Sequence, residues 1–393
     1  MDVTVPEIPP EYDEYRARLR AFIAKHRPAL EWKQRAGMRC PDEATEVEKL
    51  REWTRALYDA GYVLDRFTME PGDPYEQRIL LEELSETEIP YVLGNPLVAG
   101  ALQLFGTPEQ QEQYLPPMAR GDHIWTQLFS EPNAGSDLAS LSTRARLEGD
   151  EFVVDGQKVW STWAQFADYG YLLARTEDVP GSKGISAFIL DMHSPGIEVR
   201  PLREMTGTAD FNEVFLDGVR VPAANLIGAR GEGWRVANAS LAAERGGVAS
   251  SAPGDPVQAL VRLARAHGRA GRAAIDDAAV RQEIARFAAR HRVVRYLGYV
   301  VATRAARGET TMADAPMTKI WFSELNLEMA QYGLELMGAQ ADLVEGEPGA
   351  YEDGRWQDLF LYARALTIAG GSNEILRNLI AERELGLPRE PRG

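Results

Sequence analysis

A single cysteine, Cys40, stands among 393 residues, so no disulfide can close within the chain and no thiolate cluster can hold a metal. The five histidines, His26, His123, His193, His267 and His291, nowhere fall into HxxxH or HxH spacing, and the usual signal of a zinc site is missing with them. Positive charge is scarce as well. With 43 Lys and Arg against 59 Asp and Glu the net charge is −16, the wrong sign for a surface that must displace counterions from nucleic-acid phosphates. No run of about 18 apolar residues occurs, and the opening MDVTVPEIPPEYDEYRARLR has neither a basic n-region nor an apolar h-region. These absences set the expectation of a cytoplasmic protein with no metal, no nucleic-acid partner and no membrane span. What remains is ample for a large core: 45% hydrophobic residues, with 8 Trp, 14 Tyr and 12 Phe.

The apolar periodicity divides the chain into three parts. From Pro10 to about Arg120, stretches such as EYDEYRARLRAFIAKHRPAL, EVEKLREWTRALYDAGY and YEQRILLEELSE repeat apolar residues every three or four positions, and Pro or Gly closes each run. Between Gly121 and Gly228 the texture changes to short β-branched and aromatic runs separated by Gly, Asp and Pro turns. Amphipathic helices then return, from WRVANASLAAER through VQALVRLARAHGRA to ILRNLIAEREL. The expectation is an α+β protein with a helical domain over 1–120, a β domain over 121–228 and a helical domain over 229–393. No internal repeat and no βαβ alternation occurs, which argues against a Rossmann fold.

Several tempting features have plain readings. GARGEGW at 228–234 lacks the GK[ST] ending of a phosphate loop and reads as a turn into a helix. The arginines from Arg286 to Arg295 sit at helical spacing and read as a solvated helix face. LAAERGGV at 241–248 places a Glu244-Arg245 pair before two glycines that each cost a helix about 1 kcal/mol. By itself that stretch reads as a solvated helix charge.

Two segments are more informative: FSEPNAGSD at 129–137 and DGQKVWST at 155–162. Small residues with Ser, Asn and Asp crowded into one loop offer backbone N–H and hydroxyl donors to a flat polar ring or a phosphate, although any tight turn can look the same. Together with FGTPEQQEQYLPPMARGD, NEVFLDGVRVP and GSNEILRNLIAERELGLPR, in this order and over essentially the whole chain, they resemble the acyl-CoA dehydrogenase family. The resemblance implies an N-terminal helical domain, a middle β-barrel-like domain and a C-terminal four-helix bundle, with FAD bound between the β domain and the C-terminal helices. It implies that Phe129 and Ser130 hydrogen-bond the pyrimidine edge of the flavin, that Trp160 and Thr162 flank the ring and its N5 side, that Ser136 lies close to the phosphates of an acyl-CoA substrate, and that Ser372 and Glu374 meet the flavin and the FAD phosphates.

The same resemblance implies α,β-dehydrogenation of an acyl-CoA thioester, with a carboxylate removing the α-proton and flavin N5 accepting the β-hydrogen as hydride. Many members carry the carboxylate in the loop that corresponds to TIAGGSNEI, at the position that is Gly370 here. A glycine is no base, and a second branch of the family carries the carboxylate next to an arginine on the helix that opens the C-terminal domain. In this chain that place is Glu244-Arg245, with Arg245 beside the substrate and the Gly370 N–H polarising the thioester carbonyl. Electrons are expected to pass to an electron-transferring flavoprotein.

Homotetrameric members also carry Arg-x-x-Phe-Gly and Gln-x-x-Gly-Gly-x-Gly segments that grip the ADP half of a neighbour's FAD. Here the corresponding stretches read ARAHGRAGRAAIDD and LELMGAQADL, with His267-Gly268 and Gly338 as the recognisable remnants. This departure is similar to that of the heteromeric bacterial dehydrogenases acting on bulky thioesters, steroid side chains included. It leaves a homotetramer and an α2β2 heterotetramer with a related subunit both open. The rival readings are a non-catalytic partner subunit, against which Glu244 and the intact SEPNAGSD loop speak, and an acyl-CoA oxidase, for which the chain is short.

Overall fold

In the computed structural model, which describes residues 8–29, 43–69, 72–85, 87, 89, 95–179, 181–248, 255–269, 271–307, 309 and 311–389, the N-terminal helices are α1 (Asp13–His26), α2 (Glu43–Asp59), α3 (Pro74–Ser85), α4 (Pro96–Phe105) and α5 (Pro108–Arg120). Local sequence sets the ends of α5. Thr107 accepts a hydrogen bond from the Gln110 N–H at 3.2 Å while the Gln110 side chain accepts one from the Thr107 N–H at 3.1 Å, a reciprocal cap followed by Pro108 in the first turn. Gly121 closes the helix in the left-handed region, at φ +80°.

The β region holds β1 (Trp125–Leu128), β2 (Arg144–Glu148), β3 (Glu151–Lys158), β4 (Tyr169–Arg175), β5 (Ile185–Asp191), β6 (Ile197–Leu202), β7 (Phe211–Pro222) and β8 (Leu226–Ile227). They form one sheet in the order β6-β7-β3-β2-β4-β5-β8, with β1 parallel to β4. The twelve-residue β7 pairs antiparallel with both β3 and β6, and the β3 register shifts between Val154 and Gly156. The five N-terminal helices, this sheet and the first part of α6 (Gly233–Val248) belong to one structural unit, Ile8–Leu84 with Ile89–Glu244. Its core runs continuously from Leu19, Trp53 and Leu102 in the helices to Tyr171, Phe188 and Val214 in the strands. Six of the seven β5 residues are buried, as the run ISAFIL, apolar but for the hydrogen-bonded Ser186, requires of a strand covered on both faces.

The second unit is built mainly from the chain after Glu244. Asp255 caps α7 (Pro256–Ala266) by accepting from the Val257 N–H at 2.9 Å and the Gln258 N–H at 3.2 Å. The long helices α8 (Ala278–Arg307), α9 (Asp314–Met337) and α10 (Arg355–Ile368) complete a four-helix core around Leu260, Phe287, Met329 and Trp356, and the short α11 (Asn373–Leu379) follows. One expected helix stops early. The sequence pattern carries α7 through ARAHGRA, but His267 turns extended at φ −102°, ψ 137°, and Gly268–Arg269 pairs antiparallel with Arg272–Ala273 as β9 and β10. Gly268 and Gly271 lower helix propensity by about 1 kcal/mol each, and the Ala274 N–H bond to the His267 carbonyl at 2.7 Å satisfies the backbone without a helix. Among the described residues no helix is long and apolar enough to cross a membrane.

In α9, Gly333 lies against the indole of the buried Trp356, where an added Cβ would come within 2.2 Å of a ring carbon. Gly333→Ala is expected to destabilise this unit by about 1–3 kcal/mol through overpacking, even though alanine is the better helix former. A thermal melt equal to or above the wild type would contradict this packing.

Candidate active site

Three hydrogen bonds join β1 and the chain just after it to the end of β3 and the chain just after that. The Val159 N–H donates to the Ser130 carbonyl at 2.9 Å, the Thr126 hydroxyl to the Thr162 carbonyl at 2.9 Å, and Lys158 Nζ to the Phe129 carbonyl at 3.1 Å. Phe129-Ser130 is thereby laid beside Trp160–Thr162. The Phe129 ring itself is a core group, edge-on to Tyr171 at 4.8 Å between centroids, so only its main chain is left for binding.

Trp160 and Trp163 both have positive φ, at 61° and 54°, a conformation that costs a non-glycine residue on the order of 1 kcal/mol or more. The surrounding bonds impose it. Ser161 and Asn212 exchange backbone hydrogen bonds at 3.1 Å, the Trp163 N–H donates to the Asp210 carbonyl at 2.8 Å, and its indole N–H donates to the Asp210 carboxylate at 3.0 Å. The Trp160 side chain is left 60% exposed, touching Phe211 edge-on. Around it, Thr162 is exposed and Ser130 half-buried, and among the described residues neither their hydroxyls nor their N–H groups have a protein partner. Ser136 is exposed in the loop beyond the Glu131–Ala134 bridge.

Behind this surface lies a buried ion pair. Lys158 Nζ is 2.8 Å from a Glu131 oxygen, with the lysine side chain 0% and the glutamate 4% exposed. Glu131 also accepts from the Ser142 N–H at 2.6 Å, the Ser142 hydroxyl at 2.7 Å and the Thr143 N–H at 2.9 Å. Burial pushes this carboxyl up, but the Lys158 charge and these donors outweigh it and hold the pKa at about 2. Burial pulls Lys158 down to about 8, against the opposing pull of Glu131.

In the other unit, Gly370 and Gly371 stand at φ +65° and +93° between α10 and α11. A buried lysine again supports the loop: Lys319 on α9 donates to the Gly371 carbonyl at 3.0 Å and to the Asn373 side chain at 2.8 Å. Ser372 caps α11 by accepting from the Ile375 N–H at 3.4 Å. Glu374 is exposed in the first turn, its carboxyl lowered by its own backbone N–H and the Ser372 hydroxyl. No neighbouring atom occupies the space where a Gly370 Cβ would point, so the backbone conformation, not crowding, is what disfavours a side chain there. The backbone of α6 runs on through Glu244 and Arg245 to Val248, while the side chains of these two residues lie outside the described part of the structure.

Comparison with known proteins agrees along the chain. The family descriptions "Acyl-CoA dehydrogenase, N-terminal domain", "middle domain" and "C-terminal domain" match residues 9–122, 126–219 and 231–385. The chain is 36% identical over 399 aligned positions to acyl-CoA dehydrogenase IpdE1 of Mycobacterium tuberculosis, covering 98% of this chain and 100% of the relative. This chain is a member of the acyl-CoA dehydrogenase family. Among solved structures it resembles the Tcur3481-Tcur3483 steroid ACAD, at 30% identity and TM-score 0.83 over 98% of this chain and 99% of that one. It also resembles the ChsE4-ChsE5 complex from Mycobacterium tuberculosis, at 30% identity and TM-score 0.82 over 99% and 100%.

An acyl-CoA dehydrogenase of this family is an FAD-dependent oxidoreductase. The β-side surface fits a flavin on its own chemistry: an exposed indole held in a strained backbone, beside N–H and hydroxyl groups of Ser130 and Thr162 that have no partner among the described residues, suits a flat ring with a polar edge. Sequence reasoning missed Glu131, Lys158 and Lys319 as supports. The first two lie inside the quoted motifs, where Asp137 and Asp155 are charged as well, and no local pattern marks them as partners. Glu131→Gln is expected to destabilise the protein by about 3–5 kcal/mol, because it leaves the Lys158 charge buried without its counter-charge. The wild-type pair gives its full stabilisation above the ordinary carboxylate pKa of 4.5 and loses it as pH falls toward about 2. Thermal melts across that window should fall more steeply for the wild type than for the variant, and parallel curves would contradict the assignment.

Proposed function

We propose that this chain catalyses α,β-dehydrogenation of an acyl-CoA thioester with a bulky acyl group, such as a steroid side chain, and that electrons leave to an electron-transferring flavoprotein. The reading rests above all on the joined loops, in which Phe129-Ser130 and Trp160–Thr162 present one exposed aromatic ring with donors on each side that have no partner among the described residues. FAD, when bound, supplies the acceptor for the β-hydrogen. Ser130 and the Phe129 main chain hold the pyrimidine edge, while Trp160 and Thr162 cover the ring and exclude water from it. Ser372 and Glu374 contribute from the C-terminal loop, and Ser136 contacts the CoA phosphates. The steroid-type acyl group is supported by the name of the similar Tcur3481-Tcur3483 steroid ACAD.

Glu244 is the proposed base and Arg245 its neighbour on the substrate. Removal of an α-proton needs a carboxylate close to that carbon and a stabilised enolate oxygen, and the Gly370 N–H is the proposed donor to that oxygen. Glu244→Gln should retain FAD and CoA-ester binding and lose roughly 10²–10⁴ in turnover. More than about a tenth of the wild-type rate in the variant would remove Glu244 from this role.

We further propose an α2β2 assembly with a related subunit. Where homotetrameric members present Phe-Gly to a neighbour's ADP, this chain has His267, which is 6% exposed, with Nδ1 3.1 Å from the Leu263 carbonyl and the ring edge-on to Tyr351. That side chain serves its own core. The paired names of the two similar structures support unlike subunits. A cofactor gripped from one side binds weakly, and a partner that completes the site raises both occupancy and stability. The chain expressed alone should therefore be poor in flavin, and co-expression with the partner should raise both its flavin content and its unfolding temperature. A lone chain that purifies as a fully flavinated, fully active homotetramer would refute the assembly.

A further inference from the structure

The Phe129 carbonyl and the Ser130 N–H are two ends of one planar amide. Lys158 Nζ donates to the carbonyl end at 3.1 Å from a fully buried position. At the other end, the Ser130 N–H has no protein partner among the described residues. A charge-assisted bond to an amide oxygen draws electron density from its nitrogen, so the N–H becomes a stronger donor, and hydrogen bonds in series polarise one another in this sense. Glu131 balances the ammonium but is itself held by Ser142 and Thr143, so the positive end of the pair is the end in contact with the amide.

We propose that Lys158 is a positioning residue for the flavin, acting through the 129–130 peptide: it fixes the orientation of this amide and strengthens the Ser130 N–H as a donor to the pyrimidine edge, favouring the reduced cofactor. The inference rests on the reading that Phe129-Ser130 holds that edge. Reduction adds electron density to the flavin ring system, so a donor polarised by a nearby cation binds the reduced form more tightly than the oxidised one. A pair that only anchored the fold would carry no such preference. Buried ion pairs can often be replaced by neutral residues of similar volume with no loss of stability, so the two roles can be separated by experiment.

The test compares the wild type with Lys158→Met/Glu131→Gln, which removes both charges, and with Lys158→Gln/Glu131→Gln, which keeps a neutral donor at position 158. Three quantities are measured on the flavin-loaded enzyme as isolated: the unfolding temperature, the FAD dissociation constant and the two-electron reduction potential against reference dyes. The expected result is an unfolding temperature close to the wild type, with reduced FAD weakened about tenfold more than oxidised FAD, which lowers the potential by about 30 mV. The variant with a neutral donor should lie between. A folded double variant with unchanged potential overturns the proposal. So does failure of both double variants to fold, because the pair is then a requirement of folding alone. Ser130→Ala and Trp160→Ala probe the site without touching the pair. If both leave FAD affinity unchanged, the flavin reading of this surface falls and the inference with it; if they weaken FAD and the double variants leave the potential unchanged, only the inference falls.

Discussion

The contact between the Lys158 ammonium and the Glu131 carboxylate is the constraint on which the β-side surface depends. Two ions taken out of water lose several kcal/mol of hydration each, and one 2.8 Å contact offsets this only if the remaining donors and acceptors are also satisfied. Here most of them are: the carboxylate receives four hydrogen bonds, and the ammonium spends a second of its three donors on the Phe129 carbonyl. The pair thus fixes three stretches of chain at once: the strand end at 158, the loop start at 129–131 and the loop end at 142–143. Apolar side chains of the same volume could fill the space, but they could not set the direction of the peptide at 129–130.

The C-terminal loop uses a related solution with different chemistry. Lys319 also donates to a loop carbonyl, that of Gly371, but its side-chain acceptor is the neutral Asn373 amide. A carboxylate in that network, Glu324, bonds Arg377 and the Asn373 amide nitrogen. Both loops expose main chain that regular structure does not satisfy, and in both a buried lysine reaches the carbonyl from the protein side. A lysine suits this task because its three donors sit on a flexible stem that crosses the core.

What could be read from the sequence follows from how local each signal is. The reciprocal cap at Thr107 and Gln110, the stop at Gly121 and the apolar run of β5 depend on neighbours a few residues away, and each is legible in the order of the residues alone. The family and the FAD cofactor were legible because several motifs recur in order along the whole chain. The Lys158–Glu131 pair was not, since its members lie 27 residues apart and nothing local marks them as partners. The early end of α7 was also hidden. Its alanines and arginines favour a helix, Gly268 and Gly271 weaken that preference, and the tertiary burial of His267 with the β9–β10 pairing completes the reversal.

The same distinction between local and distant causes bears on the proposed base. At position 370 the backbone stands at φ +65°, a region that costs a side-chain-bearing residue about 1–2 kcal/mol. A carboxylate carried there would have to be held against that preference by its surroundings. A carboxylate on α6 meets no such conflict, because glutamate is a good helix former and the helix backbone stays regular through position 244. With the proposed base on α6, position 370 needs no side chain and its loop can be shaped for the main chain alone.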